Sequence, residues 1–197
     1  MFKYKSNSIF SFIILIFFLN TSDILALTKD IELNIGSGST LNIEYVLAKG
    51  ICRMLSREQD VSKFMGGLNS LKCDVSITNG SLQNLDDIRS KKLNYAIINL
   101  SEIPLEYDLN SLSSVIFFKG KSTDWILITS SDTEKQETCE ITEAIFKNSL
   151  ELKYLHSEFK DFSYETFTKK KLPIHMGSFK YFENKECRFI NKEVGEL

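Results

Sequence analysis

Apolar residues recur along this chain in two rhythms. At Ile31, Leu33 and Ile35 they occupy every second position, which predicts a short strand. The glycine-rich stretch Gly36-Ser37-Gly38-Ser39-Thr40 ends it, and Leu41, Tyr45, Ala48, Cys52 and Leu55 then follow with helical spacing. The same unit comes again: Cys73 to Ile77 as a strand, Asn79-Gly80 as the turn, and Leu82, Leu85 and Ile88 as the buried stripe of a second helix. Tyr95 to Ile98 is a third, continuously apolar strand, as expected of a parallel strand covered on both faces. Val115 to Phe118 and Trp125 to Thr129 give two more, separated by the polar turn Lys119 to Thr123. This order predicts an α/β fold with a mostly parallel sheet of about five strands and helices on both faces.

Ser130 to Glu137 is polar and without periodicity, which makes it the junction between an N-terminal part, residues 27–132, and a C-terminal part, residues 138–197. The second part is mostly helical. Ile141, Ala144, Ile145 and Leu152 mark one apolar face, and Pro173 sets an extended approach to a helix near Met176 that carries Phe179, Tyr181 and Phe182. No solenoid repeat or low-complexity linker interrupts the chain.

The N-terminus changes this picture. Lys3 and Lys5 precede an apolar run from Ile9 to Leu19, followed by polar Asn20 to Asp23 and Ala26, the order of a secretory signal cleaved after Ala26. That run is shorter than the roughly 20 residues an uncleaved membrane anchor would need. The remainder suits one domain. Its charge is mildly acidic: the whole chain carries a formal −2, and losing Lys3, Lys5 and Asp23 makes it one unit more negative. There is no basic field to hold nucleic acid. Four cysteines in an exported chain favour disulfides. Cys52, Cys73, Cys139 and Cys187 allow three pairings, whereas zinc is disfavoured because no CxxC exists and the two histidines, His156 and His175, lie far from any cysteine in sequence.

At the first loop the sequence becomes specific. Ile35-Gly36-Ser37-Gly38-Ser39-Thr40, with Tyr45 in the helix beyond, resembles the IGTGGTGGTYY opening of TAXI receptors, the solute-binding proteins that feed TRAP transporters. Gly80 to Leu85 resembles the family's GSVENL, Leu93 to Ile98 its LDLALV strand, Ile141 to Asn148 an ITKALFEN helix, and Leu172 to Ser178 its LPLHPGA segment. Ile51-Cys52-Arg53 with the later Cys73 is similar to members carrying ICR and an RCSVE-like strand. In the proposed fold those two cysteines lie on adjacent elements, so a Cys52–Cys73 bridge is expected, and Cys139–Cys187 then follows by elimination. Full-length members place a second lobe where only Ser130 to Glu137 stands here, so the chain resembles a single periplasmic-binding-protein-like lobe. The family also has glycines where Leu41 and Asn42 stand and a small polar residue in place of Leu100, departures that bear on ligand specificity.

The resemblance implies a small carboxylate or amino acid as ligand and a TRAP-type membrane permease as partner, with no cofactor and no catalytic residues. A glycine-rich loop opening a helix leaves N–H groups free at the positive end of the helix dipole. Ser37, Gly38, Ser39 and Thr40 form one such loop, and Thr78, Gly80, Ser81 and Asn84 form the other. Both would reach the crevice at the C-terminal edge of the parallel strands, where Asn99 also falls. Taken singly, each loop is also what helix caps and turns require. The P-loop lysine and the GxGxxG spacing are missing, which argues against a nucleotide. His175 and His156 are expected to be capping or packed side chains, Asp86 and Asp87 to complement a helix start, and Lys169 to Lys171 to be a solvated loop. The alternative to a receptor is a one-lobed interaction module that kept export and fold but lost the site.

Overall fold

The computed structural model describes residues 31–64, 71–161 and 172–187. The expected signal at residues 1–26 and the lysines 169–171 lie outside these residues. Five strands form one sheet: β1 (Ile31–Gly38), β2 (Leu71–Ile77), β3 (Tyr95–Asn99), β4 (Leu112–Lys119) and β5 (Asp124–Ser130), in the order β2-β1-β3-β5-β4. β1 pairs in parallel with β2 and β3, while β5 runs antiparallel to both of its neighbours, β3 and β4. Four strands therefore point one way, and β5 opposes them from inside the sheet. The sheet is mixed, because β5 follows β4 through a tight hairpin that must reverse direction. In that hairpin Gly120 donates its N–H to the Thr123 carbonyl at 3.0 Å.

The helices are α1 (Ile43–Phe64), α2 (Ser81–Arg89), α3 (Lys135–Lys147), α4 (Ser149–Leu155) and α5 (Met176–Asn184). Alternation along the strands feeds two cores. Leu33, Ile35, Tyr95, Ile97, Trp125 and Leu127 face α1, α3 and α4, where Leu47, Ile51, Ile145 and Leu152 meet them. Ala96, Ile98, Ile126 and Ile128 face the other way, onto Leu85 and Ile88 of α2. In β4, Val115 and Ile116 both join the first core, because the register slips between Ser114 and Ile116 and adds one residue to that strand. Helices thus cover both faces, as the α/β pattern requires.

The C-terminal part returns to the same sheet. Segment 172–175 runs beside β4, with Ser114 donating its N–H to the Pro173 carbonyl and accepting at its own carbonyl from the His175 N–H, both at 2.8 Å. α5 then packs on α3, around Cys139, Tyr181 and Cys187. Two disulfides close the described residues, Cys52–Cys73 and Cys139–Cys187, with Cα atoms 5.1 and 5.5 Å apart. They agree with the expected pairing, and disulfides fit an oxidising compartment. No helix among the described residues is long and apolar enough to cross a membrane.

Three expectations are corrected. Leu41 does not begin the first helix: it lies in the loop before Ile43 and is 94% exposed. In α2 the buried stripe is Ser81, Asn84, Leu85 and Ile88, while Leu82 is exposed. Asp86 and Asp87 sit in the second half of α2, not at its start, so they do not complement its dipole. They are engaged laterally instead: Asp86 accepts from the Tyr107 hydroxyl at 2.5 Å, and Asp87 pairs with Lys92 at 3.5 Å.

Candidate functional site

The two glycine loops do meet. Both Gly38 and Gly80 have positive φ, 103° and 107°, a conformation that side chains resist. A Cβ on Gly38 would lie 3.7 Å from the Gly80 Cα, so the loops pass in contact at the C-terminal edge of β1 and β2. The Thr78 N–H, donating to the Gly38 carbonyl at 3.4 Å, joins them. Asn99, at the end of neighbouring β3, falls at the same edge, opposite Trp125 of β5.

The hydroxyls and amides of these loops are mostly turned inward. Ser37 is buried and its hydroxyl faces the carbonyls of Gly38 and Ser76, each at 3.2 Å. Thr78 donates to the Asn84 Oδ1 at 2.7 Å and accepts from the Gly80 N–H at 3.3 Å. Asn84 is fully buried against Gly36, and its Nδ2 donates to the Ile97 carbonyl at 2.9 Å, tying α2 to β3. Ser37, Thr78 and Asn84 are thus committed to holding the loops. Ser39, Thr40, Asn42 and Asn79 stand exposed in these loops.

Ser81 and Asn99 have a partner that sequence reasoning missed. The Ser81 hydroxyl donates to Glu102 Oε2 at 2.6 Å and accepts from the Asn99 N–H at 3.0 Å. The Asn99 Nδ2 reaches Glu102 Oε1 at 3.4 Å, and its Oδ1 caps the 3-10 turn Leu100–Glu102 by accepting from the Ser101 N–H at 3.0 Å. A carboxylate of the chain therefore occupies the donors expected to hold a ligand's anion. The available signal was positional, since Glu102 follows the β3 edge by three residues. A second carboxylate, Glu44 in the first turn of α1, is buried and accepts from the Trp125 Nε1–H at 3.2 Å.

Around this rim large apolar side chains are exposed: Leu41 from the first loop, Ile77 at the end of β2, Leu82 in the first turn of α2, and Leu105 beyond Glu102. The histidines lie elsewhere. His175 is 2% exposed and caps α5, its Nδ1 accepting from the Gly177 N–H at 3.2 Å while its Nε2 faces the Thr133 carbonyl at 3.1 Å. Burial lowers its pKa, with Lys135 acting in the same direction. His156 Nδ1 accepts from the Glu158 N–H at 3.2 Å. No group of residues able to hold a metal ion occurs among the described residues. No family model matches this chain, and no curated protein does.

Proposed function

We propose that this chain is an exported solute-binding lobe of the kind found in TAXI receptors, taking a small carboxylate or amino acid at the C-terminal edge of the parallel strands, where the two glycine loops meet, and delivering it to a TRAP-type permease. The approach of Gly38 to Gly80 at the C-terminal edge of the parallel strands carries the reading, because it brings the two glycine loops together at the edge where ligands bind in open α/β sheets. The paired cysteines support an extracytoplasmic location. A single lobe offers only part of the contacts that a closing two-lobed receptor provides, so affinity is expected in the millimolar range unless a partner completes the cleft.

Amide NMR of the disulfide-bonded protein, titrated with amino acids, keto acids and dicarboxylates to millimolar concentration, tests it. Saturable shifts centred on Gly38 and Gly80 are expected, and absent in Gly38→Ala at unchanged fold. If no probe shifts these amides, alone or with a purified permease, the reading is refuted.

A second reading has its own observation. Leu41, Ile77, Leu82 and Leu105 expose apolar surface, and three of the loop hydroxyls serve internal bonds. That pattern suits a protein-interaction module, and it becomes the better description if the solute titrations fail.

A further inference from the structure

We propose that Glu102 sets the charge selectivity of the crevice: it admits solutes that bring a positively charged nitrogen, amino acids included, and rejects those whose charge is only negative. The inference rests on the receptor reading and narrows its solute class. The Ser81 hydroxyl and the Asn99 amide both point at Glu102, at 2.6 and 3.4 Å. Its Oε2 also lies within 4.0 Å of where a side chain on Gly80 would begin, at the mouth of α2. The positive end of that helix therefore already faces a negative charge.

The consequence for a ligand is electrostatic. An incoming carboxylate would have to displace Glu102 or settle about 4 Å from it, a repulsion worth at least about fivefold in affinity even in water and more at a partly shielded surface. An ammonium group meets the opposite situation. An ionised carboxylate has about four acceptor positions, and two donors are engaged here, so capacity remains on an exposed side chain. Among the described residues no lysine or arginine is paired with Glu102. Ser81 and Asn99 then serve to fix the carboxylate at the edge of the crevice.

The test is a set of amide NMR titrations on the whole disulfide-bonded chain, wild type and Glu102→Gln, with three probes: L-alanine, putrescine and succinate. Wild type is expected to bind L-alanine and putrescine and to bind succinate at least about tenfold more weakly. In Glu102→Gln the amine probes should lose about tenfold or more, while succinate gains, because the amide keeps a hydrogen-bonding end without the charge. Succinate binding to wild type as tightly as the amines, or an unchanged order in Glu102→Gln, overturns the selectivity while leaving the receptor reading standing. Absence of binding by every probe in both proteins overturns the receptor reading and this inference with it.

Discussion

Asn84 separates a residue that binds a ligand from one that builds the place for it. It is fully buried, with its amide nitrogen donating to Ile97 and its amide oxygen accepting from Thr78. Asn84→Ala leaves the Ile97 carbonyl and the Thr78 hydroxyl short of a partner. At about 1–3 kcal/mol for each buried group so stranded, the expected loss is roughly 2–6 kcal/mol. At about 2–4 °C per kcal/mol for a protein of this size, that corresponds to a melting temperature lower by roughly 4–24 °C. Asn84→Asp, nearly identical in shape, should be at least as damaging, because it sets a carboxylate against the Ile97 carbonyl. Thr78→Val removes one of the same bonds, so the two losses should not add: the double variant should be more stable than the sum predicts, by roughly 1 kcal/mol. Urea unfolding of wild type, both single variants and the double closes the cycle. Stability of Asn84→Asp within about 0.5 kcal/mol of wild type, or additivity within that error, would refute the structural role. A variant that kept its stability and lost only solute binding would return Asn84 to the ligand.

The remaining predictions concern pH and the disulfides. His175 has a folded pKa lowered by burial, so below the ordinary histidine value of about 6.5 the unfolded chain takes up protons that the folded one resists. Stability should be full near pH 7 and fall as the pH drops from there, and His175→Asn, which keeps a capping acceptor without titrating, should flatten that fall in melting curves between pH 7 and 5. Cys52–Cys73 closes 21 residues and Cys139–Cys187 closes 48, so replacing each pair by serine should cost about 3 and 4 kcal/mol in the chain-entropy picture. Denaturant melts measure this, and non-reducing peptide mapping that joins Cys52 to any residue but Cys73 would contradict the fold.

Much of the architecture is legible in the chain because it rests on local repetition. Alternation at Leu33 and Ile35 marks the buried face of β1, and the apolar run from Tyr95 to Ile98 suits a strand covered on both sides. The glycines at 38 and 80 mark the places where the backbone turns with positive φ, and they are the positions where the two loops touch. The spacing misled only where exposure competes with periodicity, as at Leu41 and Leu82, since a helical stripe counts apolar residues without knowing what stands opposite.

What the sequence alone determined is the repeated strand, loop and helix unit, with its glycine turns and its apolar faces, because these depend on residues within a few positions of one another. Tertiary structure decided the rest. The antiparallel entry of β5 between β3 and β4, the return of segment 172–175 to the edge of β4, and the reach of Glu102 across to Ser81 all join residues that are distant in sequence. In such pairings geometry selects among several chemically acceptable partners, and a serine beside a helix start reads the same whether its hydroxyl meets a ligand or a glutamate of its own chain.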